Sequence, residues 1–273
     1  MLLPIEKQIK DKIQLIGTPL KDWDININYG IKTGFNEAFI ITKEKRKELI
    51  EQDPKSADII RPILRGRDIK RYAYEFADIF IITTFPSLKI DIDLYPAVKH
   101  HLMSFGYDRL KQTGDKGARK KTNNKWFETQ DSISYWEDFS RQKIVWGEIS
   151  DKTKFAIELT GEFVAEATTF LMVGHSLIYL VSFLNSKLSE YIFSKIGTTT
   201  GVGTVRWKKF TIEQLLVPII PPEKQKAYEE IANQIIEYQA DKLKIHQLEK
   251  QLNDMIYKEF DLSPEEIAFI EHQ

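Results

Sequence analysis

Hydrophobic and polar positions divide the chain into a mixed body and a helical end. Residues 4–16 predict a short helix, which Thr18-Pro19 ends. Ile25, Ile27 and Tyr29 then share one face of an alternating run, which predicts a half-buried strand over 24–29. A turn over 30–36 leads to a second strand at 38–41, with Gly30 and Gly34 letting the chain reverse. Thr42 is placed to cap a polar helix over 43–51. Further strands are expected at 71–76, 79–84, 143–149, 154–159 and 163–173, and helices at 95–104 and 176–195. Residues 111–125 and 197–207 carry glycines, show no period and predict loops.

The pattern changes after Pro218. Pro221-Pro222 opens a helical run to about Phe260, apolar at 231, 235, 238, 245, 248, 252 and 255. That narrow seam suits a coiled coil or a helix pair. Unbroken, the helix would reach ~57 Å and would want a second helix, from this chain or a partner. The expected fold is α+β: an N-terminal helix or linker (1–23), a mainly antiparallel β body (24–217) and a long-helix C-terminal segment (218–273).

Composition refines this picture in three places. A chain of 273 residues with 42% apolar and 12% aromatic content can build a sizeable core. The absence of cysteine excludes disulfides and thiolate metal sites, and fits a reducing cytoplasm. No apolar run approaches the ~18 residues of a membrane span, and the charged N-terminus is unlike a signal peptide. The net charge of −1 hides an asymmetry. Residues 223–273 hold 12 acidic and 6 basic side chains, so the rest of the chain is net positive. Five basic residues crowd 61–71 and six crowd 111–125, each stretch with a single acid.

Catalytic patterns are missing. The stretch NYGIKTGFNEAFII resembles a phosphate loop at a glance. With Lys32-Thr33 in the last two places of Gly-x-x-x-x-Gly-Lys-Ser/Thr, the glycines would fall on Asn26 and Ile31. The glycines at 197, 201 and 203 follow a helix rather than a strand, so they are no dinucleotide fingerprint. Of five histidines only His100 and His101 are close, and neighbours on a helix point apart. There is no Gly-x-Ser-x-Gly elbow and no Asn/Asp-Pro-Pro-Tyr/Phe motif, and Glu148 reads as a strand-end surface charge. No catalytic residue and no metal ligand is assigned.

The basic stretches point elsewhere. Residues 111–126 read KQTGDKGARKKTNNKW. Lysine and arginine supply phosphate contacts, asparagine can read adenine edges, and arginine can pair with guanine. A solvated surface loop is the plain alternative. Three features converge against it: this loop (Lys116, Arg119, Lys120, Lys121, Asn123, Asn124, Lys125), the Arg65, Arg67, Lys70, Arg71 cluster, and the Arg206, Lys208, Lys209 run. Arg119, Asn123, Asn124 and the loop from Thr198, Thr199 and Thr200 to Arg206 are the candidates for base reading.

The order of motifs completes the reading. GIKTGFNEAFII, IIRPILRGRDIKRY, KWFETQ, SRQKIVWGEI, SFLNSKL and VRWKKFTIEQLLVPIIPP follow one another, and the chain closes on QLNDMIYKEFDLSPEEIAFIEHQ. Over roughly 15–273 this resembles the C-terminal target-recognition domain of Type IIG restriction–modification enzymes, the TaqI-type specificity domains that follow an adenine-N6 methyltransferase domain. The Pro-Pro hinge before a long helix is also similar to Type I specificity subunits. Those usually carry two recognition units, and Lys224 here separates Glu223 from Gln225. The resemblance implies a cytoplasmic, non-catalytic fragment that binds double-stranded DNA and positions an adenine for upstream domains. S-adenosylmethionine and Mg²⁺ would belong to those upstream methyltransferase and nuclease domains, with no cofactor in this chain. A protein-interaction module pairing through 222–260 is the rival reading, and a stand-alone hydrolase the third.

Overall fold

The computed structural model describes residues 3–199 and 204–273. Helix α1 (Pro4–Ile16) forms with proline in its first turn and turns Ile9 and Ile13 into the core. It runs into β1 (Gly17–Pro19) and then β2 (Ile25–Tyr29). The strand expected at 38–41 is displaced: a one-turn helix α2 (Asn36–Phe39) precedes β3 (Ile40–Thr42). Thr33 is the cause. Its hydroxyl donates to Asn36 Oδ1 at 2.6 Å and accepts the Phe35 N–H at 3.0 Å, closing a turn that tips the chain into a helix. Thr42 caps α3 (Lys43–Gln52) as expected, accepting the Lys45 N–H.

Strands β4 (Ile60–Leu64) and β5 (Ile79–Ile82) follow. The strand expected at 71–76 does not form. Tyr72 has a positive φ of 64° and the Lys70 N–H closes on the Ala73 carbonyl, so isolated bridges stand in place of a ladder. Helices α4 (Pro96–Met103) and α5 (Tyr107–Leu110) lead into the basic loop. Then come β6 (Lys143–Gly147), β7 (Ile149–Ser150), β8 (Phe155–Glu158), β9 (Val164–Ala165) and β10 (Thr169–Gly174).

The two long helices expected downstream are both broken. Residues 176–195 form α6 (Leu177–Leu184) and α7 (Lys187–Ile196). The Asn185 amide between them bonds both ways to the Phe155 backbone, at 3.0 and 2.8 Å, and Ser186 caps α7. After β11 (Thr198–Thr199), β12 (Val205–Arg206), α8 (Lys209–Ile212) and β13 (Leu216–Pro218), the C-terminal run forms α9 (Pro222–Glu237), α10 (Lys242–Glu259) and α11 (Pro264–Glu271). Asp241 caps α10, and the chain reverses over 238–241. Lys224 near the start of α9 therefore meets Glu259 at the end of α10, 3.5 Å away. The narrow seam finds its second helix inside this chain, which removes the reason for expecting one from a partner.

The fold is α+β and mainly antiparallel. The central sheet has the order β2-β10-β6-β8, and the second sheet β3-β5-β4-β9, with β4 and β9 parallel. Period-two alternation sorts their side chains into three cores. Ile144, Trp146, Phe155, Phe170 and Met172 face the helices α1, α6, α7, α9 and α10. Val145, Ala156, Leu171 and Val173 face the second sheet and meet Ile63, Leu64 and Ile81. Ile60, Phe80 and Ile82 face α3 and α4. The order of layers is helices, sheet, sheet, helices, and both sheets are covered on both faces.

One buried charged knot joins the two sheets. Lys143 and Glu158 lie opposite each other on β6 and β8, both fully buried and paired. Lys143 Nζ also donates to the Phe139 and Arg141 carbonyls, at 2.9 and 3.0 Å. Burial lowers the Lys143 pKa and the Glu158 carboxylate opposes it. Arg61 of β4 donates to the carbonyls of Phe139, Gly161 and Glu162 at about the same turns, the shortest bond being 2.9 Å. Lys143→Met strands the carboxylate and is expected to cost about 3–5 kcal/mol in urea unfolding. Adding Glu158→Leu should recover part of that loss, because the carboxylate also accepts the Thr160 and Gly161 N–H groups. A single variant as stable as wild type would refute this account.

Candidate nucleic-acid interface

With both sheets covered, exposed polar chemistry gathers at the strand ends. At one rim of the central sheet, β2 ends at Tyr29, β6 ends at Gly147 and β10 begins at Thr169. The register brings these ends together, pairing Tyr29 with Phe170 and Gly147 with Thr169. A cleft of about 770 Å³ opens there. It is lined by Tyr29 and Lys32 from the opening stretch, Thr122 and Asn124 from the end of the basic loop, Gln130 beyond that loop, and Lys208, Lys209 and Phe210. A second cleft of about 550 Å³ is lined by Arg67, Lys70, Lys154, Thr168 and Thr204. Glu148 lines both, so the two clefts meet at the end of β6. Four stretches far apart in sequence thus share one rim, and residues 223–273 line neither cleft.

Buried anchors hold the exposed groups. Gly30 packs so tightly on the 165–166 backbone that a Cβ would stand 1.9 Å from the Glu166 carbonyl oxygen, and Gly34 has a φ of +78°. These glycines carry the chain from the central sheet to the second one, not around a hairpin within one sheet. Thr33 is buried and spent on its own turn, whereas Lys32 is exposed at the cleft. Arg119 is only 2% exposed. Its guanidinium donates to the carbonyls of Leu110, Thr33, Glu128 and Trp126 at 2.7, 2.8, 2.8 and 2.6 Å. Burial, and then the nearby Arg109 charge, push its pKa down to about 10, which leaves it charged at neutral pH. Arg119 therefore stitches the basic loop to the opening stretch.

A second anchor holds the Arg206–Phe210 run. Trp207 is buried, stacks on Phe193 with ring centroids 3.9 Å apart, and accepts the Trp146 indole N–H on its carbonyl at 2.8 Å. Its backbone N–H donates to the Glu148 carbonyl at 2.7 Å. Arg206 meets the Glu148 carboxylate at 3.0 Å, and Lys208 and Phe210 project outward.

The sequence candidates separate into bound and exposed groups. Arg119 is corrected from base reader to structural anchor, because four carbonyls already use its N–H groups. Arg71 is also engaged internally, with Glu249 at 2.7 Å and the Asn185 carbonyl at 2.6 Å. Arg65 pairs with Asp68 at 2.7 Å. Burial raises the Asp68 pKa, and the bonds from Arg65 outweigh that and hold it below the usual carboxylate range. The Asn124 amide N–H groups go to the Thr129 and Gln130 carbonyls, at 3.1 and 2.9 Å. Lys70 lies 3.5 Å from Glu75, and Lys209 lies 3.7 Å from Glu213.

Arg67, Lys116, Lys120, Lys121, Asn123, Lys125 and Lys208 are exposed. Thr198 and Thr199 pair their backbone with β12, and Thr200 lies outside the described residues. Lys32, Tyr29, Glu148 and Phe210 join the rim without having been singled out as its members. Nothing in the hydropathy pattern separates Phe210 from a core phenylalanine. Among the described residues, no group of three or more His, Cys, Asp or Glu could hold a metal ion.

The anchoring role is separable from surface charge. Arg119→Ala orphans buried carbonyls and is expected to cost more than about 3 kcal/mol by chemical denaturation. Arg119→Lys should not rescue it, since an ammonium cannot reproduce the fork of N–H donors. Lys120→Ala/Lys121→Ala should leave the unfolding midpoint in place. Equal midpoints for Arg119→Ala and wild type would contradict the anchor.

Comparison with known proteins agrees with this architecture. Residues 61–219, more than half of the chain, match the TaqI-like C-terminal specificity domain. The fold is similar to that of the Type IIL restriction-modification enzyme MmeI, solved in complex with DNA, with a TM-score of 0.60 at 15% identity over 93% of this chain and 36% of that one. It is also similar to the Type IIG restriction endonuclease BpuSI, with a TM-score of 0.53 at 13% identity over 95% of this chain and 34% of that one. The chain thus spans about a third of the length of these enzymes. No functionally curated protein matches its sequence. The motif order, the fold and the domain match agree: the chain belongs to the TaqI-like C-terminal specificity-domain family.

Proposed function

We propose that this chain is the DNA target-recognition domain of a Type IIG restriction–modification enzyme. In this reading it binds duplex DNA along the rim where the two clefts meet and reads a short sequence there. It thereby sets an adenine before an N6-methyltransferase domain, which flips the base out of the stack, and beside a nuclease domain. The chain itself is non-catalytic. S-adenosylmethionine and Mg²⁺ would serve those other domains, and the protein would work in the cytoplasm beside the chromosome. Among the described residues no helix is long and apolar enough to cross a membrane.

The observation that carries the proposal is the concentration of uncommitted cations on one rim. Lys32, Arg67 and Lys208 line or adjoin the clefts, are exposed, and form no ion pair among the described residues. Lys116, Lys120 and Lys121 are exposed on the same loop, whose Thr122 and Asn124 line the first cleft. Such cations neutralise phosphates and set the register, while cleft groups meet base edges. Arg206 gives one N–H group to Glu148 at 3.0 Å and, with its side chain 41% exposed, keeps further donors for a base edge where the clefts join. The acidic C-terminal residues stay out of both clefts, as a polyanion requires.

Anisotropy titrations with a pool of random-sequence duplexes test this. Lys32→Ala/Arg67→Ala/Lys208→Ala should weaken binding and flatten the plot of log K against log salt by ~0.9 for each phosphate no longer neutralised. Unchanged affinity and slope would remove the rim from the DNA-binding surface.

A further inference from the structure

Phe210 is the most exposed aromatic residue among the described residues, at 73%. Leaving a large apolar ring in water is unfavourable. This one is held out by its mounting. The residue three before it, Trp207, is buried and stacked on Phe193, and the residue two after it, Ile212, is fully buried. The one-turn helix α8, which ends on Ile212, fixes the point on the backbone from which the ring leaves.

The surroundings of the ring are cationic. Lys208 precedes it and is exposed, Lys209 lies 3.7 Å from Glu213, and Lys32 lines the same cleft. The cleft's two acids are already engaged. Asp131 accepts the Lys32 backbone N–H at 3.1 Å, and Glu148 pairs with Arg206. Tyr29, 55% exposed and packed on Phe170, presents a second ring to this cleft. An apolar ring on a rigid mount, with lysines nearby, matches duplex DNA better than a protein surface, because the lysines meet phosphates beside an opened base step.

We infer that Phe210 is a wedge that enters the base stack of the bound duplex, unstacks one step and kinks the helix. The inference rests on the DNA-binding reading and adds a deformation to it. No covalent step is involved. The ring gains stacking interactions and the lysines beside it keep the backbone in place. Deforming the duplex also gives discrimination at positions no side chain touches, because flexible steps open at lower cost than stiff ones.

A plasmid relaxed by topoisomerase in the presence of the protein is the test, because unstacking unwinds DNA wherever the recognised site lies. Saturating wild-type protein should shift the topoisomer distribution toward lower linking number. Phe210→Ala should abolish the shift, and Phe210→Leu, which keeps an apolar wedge, should retain much of it. Phe210→Ala should bind the plasmid roughly tenfold more weakly with the same salt slope, since the stacking disappears while the lysines still neutralise the phosphates. The side chain is exposed, so the thermal midpoint should hold and exclude misfolding as the cause.

A Phe210→Ala protein that unwinds like wild type overturns the wedge. So does a wild-type protein that binds the plasmid without changing its linking number, and in that case DNA binding itself stands. Absence of plasmid binding by wild type at low salt overturns both readings.

Discussion

The structure depends on one constraint: both sheets are buried on both faces. The central sheet lies between helices and a second sheet, and that second sheet lies between the first and α3 and α4. A buried sheet face cannot hold solvated charge without a large desolvation cost. Where the sheets meet solvent, exposed cations are therefore confined to the strand ends and the loops that join them. Antiparallel register decides which ends meet, and it brings the end of β2, the end of β6 and the start of β10 to one rim. The candidate interface follows from that geometry rather than from any single motif.

Within each basic motif the charge divides into anchors and available groups. Arg119 is buried among exposed Lys116, Lys120 and Lys121. Arg65 and Arg71 are held by carboxylates while Arg67 is exposed. Trp207 plays the anchoring part in the last run, between Arg206 and Lys208. Arginine suits the buried role because its planar fork satisfies several carbonyls at once, and lysine suits the exposed one because its compact ammonium stays hydrated. An anchored loop loses less conformational entropy on binding than a free one, so rigidity supports recognition as well as stability.

Much of the fold was legible in local pattern. Alternating Ile25, Ile27 and Tyr29 announced β2, Thr42 announced α3, and the aperiodic, glycine-bearing 111–125 stretch is a loop. The departures from local pattern share a cause. Tyr72, Asn185 and Thr33 each redirect the chain through a contact or conformation that propensity does not encode. The C-terminal seam calls for a second helix, and the reversal at 238–241 places that helix in the same chain. The stretch NYGIKTG likewise splits: Thr33 is structural and Lys32 faces the cleft.

The sequence alone determined the fold class, the family and the regions where cationic residues concentrate, because hydrophobic period, motif order and charge are properties of the linear chain. Only the tertiary structure decided which of those cations are free. Burial and hydrogen bonding depend on residues far away in sequence: Thr33 and Arg119 are 86 positions apart, and Trp146 and Trp207 are 61 apart. Arg119 and Lys120 are adjacent basic residues in one loop, yet one side chain is enclosed by four carbonyls and the other lies in water. That difference is set by packing, which no local pattern records.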